Sequence, residues 1–370
     1  MKGVLLANLG STKSYDPEDV KEYLDEFLMD PNVIDFPYWL RSLLVRGIIL
    51  KTRPRKTAEN YKRIWLEEGS PMIVISERLK EKIAKQTDIP VGLCMRYGEP
   101  SIKTGMQQLV EQEVDDILVL PLFPHYAMST IGTAVNKTLE VKKEHFSHVN
   151  LEVVPPFYNS KDYIEVIAKS ILDAVGDVEF DHLLFSYHGV PERHIRKDDV
   201  TNGHCKIDGS CCKNLSEAHN FCYRHQCYET TRLVAEKLQL TPESYSVSFQ
   251  SRLGIDPWLK PYTAKTIEKF AKDGVQKLAV VTPAFTADCL ETIDEIDREG
   301  RELFIESGGR EFTTIPCLND RDDWVEVILS WITGWVETGE LSLNKNHLNQ
   351  SMQQSNRQYK QTPYKHSEFI

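Results

Sequence analysis

Eight short, almost uninterrupted apolar runs punctuate the chain, and each gives way to a longer stretch of helical pattern. The runs are Gly3–Leu9, Pro90–Arg96, Asp116–Phe123 and Leu151–Pro155, then Asp181–Ser186, Tyr245–Gln250, Lys277–Pro283 and Glu311–Ile315. A strand with one wet face alternates apolar and polar residues; a strand buried on both faces does not. Strands of the second kind, spaced by helices, specify parallel sheet layered between helices. The expected class is α/β.

The two halves echo one another. Val4-Leu5-Leu6-Ala7-Asn8-Leu9-Gly10 resembles Leu183-Leu184-Phe185-Ser186-Tyr187-His188-Gly189. Arg96-Tyr97-Gly98 returns as Arg252-Leu253-Gly254 at an offset of 156 (252 − 96), and Val154-Pro155 as Ile315-Pro316 at 161 (315 − 154). Two copies of one α/β unit account for this, residues 1–160 and 161–338, each with a parallel four-stranded sheet flanked by helices. Open parallel sheets bind ligands beyond the C-terminal ends of their strands, so a cleft between the halves is expected. Those ends carry Tyr97, Pro124-His125-Tyr126, His188, Ser251-Arg252 and Phe285. Two stretches break the pattern. Residues 197–227, rich in Asn, Gly, Cys and His, read as an insertion, and the polar segment 339–370 lacks hydrophobic period and is expected to be disordered.

Charge narrows the function. Lys plus Arg number 44 and Asp plus Glu 55, a formal net charge of −11. Such a chain lacks the basic face that displaces counterions from a phosphate backbone, which argues against a nucleic-acid partner. No run approaches the ~18 apolar residues of a membrane helix, and the opening residues do not read as a secretory leader. A cytoplasmic location is expected, where cysteines serve as thiols or metal ligands.

Three segments could carry chemistry. His188 stands where a buried strand empties into a loop, from which a neutral imidazole can take a proton or bind a metal. Beyond Pro283, Glu291, Glu295 and Glu299 fall at i, i+4 and i+8, one ridge of an expected helix. Like charges stacked in this way repel, so attracting a divalent cation or passing protons to solvent would justify the row; a solvated acidic face is the structural alternative. From Gln250 to Trp258 the chain sets Gln250, Ser251, Arg252 and an indole close together. A guanidinium forks onto carboxylates and an indole offers a flat apolar face, a pairing suited to a large planar ligand with acidic substituents.

These segments resemble the ferrochelatases, which insert ferrous iron into a porphyrin. So do Pro121-Leu122-Phe123-Pro124-His125-Tyr126-Ala127-Met128-Ser129-Thr130, the stretch from Arg53 to Tyr61, and Gly69-Ser70-Pro71, so that the resemblance runs from about residue 3 to about 335. It implies two Rossmann-like halves with the porphyrin between them. It matches His188 and Glu291 to the family's catalytic, metal-contacting pair across the porphyrin plane, and Glu295 and Glu299 to a relay for protons or iron. It matches Leu9, Arg96, Tyr97, Tyr126, Ser129, Gln250, Ser251, Arg252, Trp258, Phe285 and Asp288 to the porphyrin pocket. Cys289 departs from the second histidine of animal enzymes, and Leu9 from their methionine. The implied reaction is Fe²⁺ insertion into protoporphyrin IX with release of two protons, the last step of haem synthesis. Coproporphyrin III as substrate, a sirohydrochlorin cobalt or nickel chelatase, and a non-catalytic porphyrin carrier are the other readings. The segment Pro37 to Leu50, apolar with Arg41 and Arg46, reads equally as a lip for peripheral membrane contact or as an ordinary helix over the cleft.

Five of the eight cysteines, Cys205, Cys211, Cys212, Cys222 and Cys227, crowd into the insertion. Read as Cys205-x6-Cys212-x9-Cys222-x4-Cys227, they offer four thiolates for a [2Fe–2S] cluster or a structural zinc, with Cys211 able to replace Cys212. Some bacterial ferrochelatases hold a [2Fe–2S] centre on an internal cysteine group, so the resemblance favours the cluster, while His204, His219 and His225 keep zinc open. Cys94, Cys289 and Cys317 read as small apolar fillers.

Overall fold

The computed structural model describes residues 1–176, 179–252, 256–341 and 343; Leu253-Gly254 of the repeat and residues 342 and 344–370 of the polar segment lie outside them. All eight expected strands form: β1 (Lys2–Gly10), β2 (Val91–Tyr97), β3 (Asp116–Pro121), β4 (Asn150–Val153), β5 (His182–His188), β6 (Tyr245–Gln250), β7 (Lys277–Val281) and β8 (Glu311–Thr314). They build two parallel sheets in the orders β2-β1-β3-β4 and β6-β5-β7-β8, the same topology twice. β3 stops at Pro121 and β7 stops short of Pro283, because proline has no N–H to donate to a ladder.

Burial follows the apolar runs. Val4, Leu5 and Leu6 of β1 and Leu183, Leu184 and Phe185 of β5 are all fully buried. The sheets share one continuous core, to which Leu6 and Leu120 contribute from the first and Phe185 and Val281 from the second. Between the sheets in sequence, the Lys161–Val175 helix turns Tyr163, Ile164, Ile167, Ile171 and Val175 inward at helical spacing. Late in the chain the Asp322–Thr338 helix buries Trp324, Trp331 and Trp335 and packs back on the Pro71–Ala84 and Lys161–Val175 helices. It is fastened to the first sheet: the Trp335 indole N–H donates to Glu152 of β4 at 3.0 Å, and the Lys2 ammonium donates to the Trp335 carbonyl at 2.9 Å.

One element departs from expectation in its winding. Glu291–Gly300 has the wide i→i+5 turn of a π-helix and tightens to an α-helix only from Arg301. Four residues overshoot a turn of α-helix and fall short of a turn of π-helix, so the acidic ridge slants the other way. It still runs outward, from half-buried Glu291 and Glu295 to exposed Glu299.

Candidate active site between the sheets

His188 is the last residue of β5, half-buried, with Trp258 and Phe285 beside it at ring-centroid distances of 6.5 and 6.3 Å. Its Nδ1 lies 2.6 Å from the Gly189 carbonyl oxygen. A carbonyl only accepts, so this contact places a proton on Nδ1 and leaves Nε2 as the basic nitrogen.

The end of the neighbouring strand holds the carboxylates. Gln250, buried at the end of β6, accepts from the Ser186 hydroxyl at 2.7 Å and donates to the main-chain carbonyl of Glu291 at 3.2 Å. Ser251 adopts a left-handed backbone (φ 56°), and both its N–H (3.0 Å) and its hydroxyl (2.6 Å) donate to Glu295. A non-glycine residue held in that region is strained, which the two bonds to Glu295 offset. Burial raises the Glu295 pKa; the Ser251 bonds and the nearby His188 pull it down, Glu291 pushes it up, and the balance lies above the ordinary value. His188, Glu291 and Glu295 thus share one electrostatic neighbourhood. Glu299 is drawn aside, paired with Arg298 at 2.8 Å.

Residues outside the expected set complete this region. Tyr23 and Tyr61, both buried in the first half, lie in the field of Glu291, which together with burial raises their pKa values. Leu290 and Ile293 pack against Val20, Tyr61 and Ile64. Asp294, buried within the π-helix, is gripped by Arg63 at 3.2 Å and Arg298 at 2.6 Å. Tyr61 closes a segment already marked by the family resemblance; Asp294 carried only the signal of lying inside the acidic row.

The other expected pocket residues divide. Leu9 is half-buried against Phe123, Tyr126 and Ile131, with the Tyr126 ring edge-on to Phe221 at 5.2 Å and Ser129 half-buried in a π turn, Met128–Gly132. Arg96 and Tyr97 are engaged by buried Asp30, which accepts from the Arg96 guanidinium, from the Tyr97 hydroxyl at 2.9 Å and from Thr133 at 2.6 Å. Burial pushes the Asp30 carboxyl up, but the Thr133 bond and the Arg96 charge outweigh it and hold the pKa below normal. Asp288 ties the π-helix to the loop after β8, accepting from Thr292 at 2.9 Å and from Asn319 at 2.7 Å. Arg252 is exposed, with its guanidinium 5.0 Å from the centre of the Tyr262 ring. The residues drawn together around His188 are Trp258, Phe285, Glu291 and Glu295, with Gln250 bonded to the Glu291 main chain and Ser251 to the Glu295 carboxylate.

The expected cysteine set is not brought together. Cys205 and Cys211 form one thiol contact and Cys212 and Cys222 another, with Cys205 in the field of Cys222. The Cys212 thiol is pulled down to about 4 by the Cys222 contact, with His225 and Arg224 assisting against burial, while Cys222 is raised. Cys227 stands apart. The Tyr223–Lys237 helix begins directly after Cys222 and carries Cys227 onto its inner face, fully buried, where burial pushes its thiol up. Among the described residues no three His, Cys, Asp or Glu side chains are grouped closely enough to hold a single ion.

Comparison with known proteins follows the same lines. The family model described as Ferrochelatase matches residues 1–334. A ferrochelatase of Ectopseudomonas mendocina is 46% identical over 327 residues, covering 88% of this chain and 95% of the relative. One of Opitutus terrae is 43% identical over 343 residues, covering 91% and 98%. Among solved structures, SirB from Bacillus subtilis with Fe³⁺ superposes with a TM-score of 0.52 at 12% identity, covering 91% of this chain and 96% of that one, a likeness of fold. With the family model matching nearly its whole length and relatives this similar, the chain belongs to the ferrochelatase family.

Proposed function

We propose that this protein inserts Fe²⁺ into protoporphyrin IX, with His188 and Glu291 as its catalytic pair. The observation that carries the reading is the meeting of an Nδ1-protonated imidazole and two carboxylates beside the flat wall of Trp258 and Phe285. A free-base porphyrin must lose two inner N–H protons, and a flat ring keeps its lone pairs pointing inward. A pocket complementary to a buckled ring spends binding energy on that distortion. His188 Nε2 takes a pyrrole proton. Glu295, with its raised pKa, accepts protons more readily than an ordinary glutamate and passes them outward to solvent. A histidine facing carboxylates, with Leu9, Trp258 and Phe285 as an apolar wall, favours protoporphyrin over the more heavily carboxylated sirohydrochlorin. Anaerobic incubation with Fe²⁺ and protoporphyrin IX should produce haem absorbance; tight porphyrin binding with no insertion would replace the enzyme reading with a carrier.

The cysteine group suits a [2Fe–2S] cluster on Cys205, Cys211, Cys212 and Cys222. Two separate thiol pairs match two irons that take two thiolates each better than they match one zinc ion. Iron and acid-labile sulfide analysis of anaerobically purified protein tests this, and stoichiometric zinc without sulfide overturns it. Membrane contact is supported by Tyr38, Trp39, Leu43 and Ile48, each more than half exposed, followed by exposed Lys51, Arg53, Arg55 and Lys56. Sedimentation with anionic vesicles, and not with neutral ones, is the expected result.

A further inference from the structure

The cysteine insertion has no part in the reaction proposed above, yet it is joined to the residue that reaction depends on. We infer that Tyr223 is a positioning residue for His188 and that it transmits the condition of the insertion to the cleft. This rests on the reading of His188 as catalytic.

Tyr223 follows Cys222 directly and opens the Tyr223–Lys237 helix. Its hydroxyl, on a side chain only 5% exposed, donates to the main-chain carbonyl of His188 at 2.9 Å. The carbonyl belongs to the peptide unit that also carries the Gly189 N–H, which donates to the Gln250 carbonyl at 2.6 Å. A Cβ on Gly189 would meet the Gln250 and Ser251 carbonyl oxygens at 2.9 Å each, so this peptide has little room to drift. His188 Nδ1 is bonded to the carbonyl of the next peptide unit, Gly189–Val190, so the imidazole is held by the same stretch of backbone that the Tyr223 hydroxyl fixes on its other side.

Three residues further on, fully buried Gln226 makes the matching connection to the other wall. Its amide donates to the carbonyls of His219 (3.1 Å) and Asn220 (2.9 Å) in the insertion, and its oxygen accepts from the Tyr126 N–H at 2.7 Å. One helical turn thereby ties the insertion to a cleft residue in each half. Buried polar groups are costly to leave unpaired, so a rearrangement around Cys205–Cys222 that shifts this turn must carry the His188 peptide with it.

Tyr223→Phe removes the hydroxyl and keeps the ring. The expected result is a kcat about tenfold lower at a porphyrin KM within about twofold of wild type, with Tm lowered by about a few degrees for the lost bond. Hydrogen exchange of the backbone at residues 188–190 should quicken by about tenfold in the same protein. The paired substitution Cys212→Ser with Cys222→Ser should reproduce both effects, and should add less than about twofold once Tyr223→Phe is present. Normal kcat with unchanged exchange in Tyr223→Phe overturns the inference, as does full additivity of the two changes. If the serine pair does not fold, the exchange result on Tyr223→Phe alone decides. His188→Ala is run alongside: should it retain turnover, the reading of the site fails, while exchange at 188–190 still judges the connection.

Discussion

Leu9 and His188 occupy corresponding positions at the ends of the two central strands, and the difference between them separates architecture from chemistry. Both sheets have one topology, and both central strands are buried in the same way. At the end of β1 the chain offers an aliphatic wall; at the end of β5 it offers an imidazole. Their carboxylates differ as sharply. In the first half Asp30 is held ionised by Thr133, Arg96 and Tyr97, and in the second Glu295 is held toward its neutral form. One half is a scaffold with satisfied charges. The other keeps a carboxylate biased toward its neutral form, the property that the proposed proton-accepting role calls for.

The sharpest break of this comparison is substitution at the two strand ends. His188→Ala should lower turnover by about 10²–10⁴-fold with porphyrin binding retained, the range for loss of a positioned base. Leu9→Ala should leave turnover within about tenfold, since it removes wall and no base. Comparable losses in steady-state haem formation would erase the distinction between the halves.

Next in size is Arg96→Ala, which strands the buried Asp30 carboxylate. Breaking such a pair costs about 3–5 kcal/mol, to be read from chemical denaturation at neutral pH. A loss below about 1 kcal/mol would mean that Asp30 is not the anchor described.

The two carboxylates should also give opposite pH signatures. Asp30, with its pKa lowered, contributes stability above the ordinary value of 3.8 that is lost as pH falls toward its folded pKa. Glu295, with its pKa raised, favours folding below its ordinary value of 4.5 and loses that contribution as pH rises through its folded pKa. Relative to wild type, Glu295→Gln should therefore gain Tm as pH rises, and Asp30→Asn should gain it as pH falls. Parallel pH profiles would remove the contrast. The smallest effect is expected from Glu299→Gln, exposed and paired with Arg298, which should change stability by less than about 0.5 kcal/mol and turnover by about threefold or less.

The central strands were legible because burial on both faces leaves a local mark, an unbroken apolar run; the edge strands Asn150–Val153 and Glu311–Thr314 are only partly buried and are marked more weakly. His188 was legible for the same reason, as the polar residue at which such a run ends. The winding of Glu291–Gly300 was not, because a row of acids four apart reads alike on an α- or a π-helix. Cys227 was misplaced because its direction depends on where a helix begins, at Tyr223, and spacing alone does not show that. Arg96 and Tyr97 sit at the C-terminal end of β2, where a ligand was expected, and both are bonded to Asp30, 66 and 67 residues away. Pairings over such distances leave no trace in a local pattern.

The three-tryptophan helix carries a consequence for synthesis. Its residues leave the ribosome after both sheets, yet they pack on the Pro71–Ala84 and Lys161–Val175 helices and bond to Lys2 and Glu152 of the sheet that emerged first. A nascent chain therefore holds the surface meant for Trp324, Trp331 and Trp335 uncovered through most of its translation. Chaperone dependence should centre on that interval, and a stop codon placed before Asp322 should yield aggregate in place of a shortened enzyme.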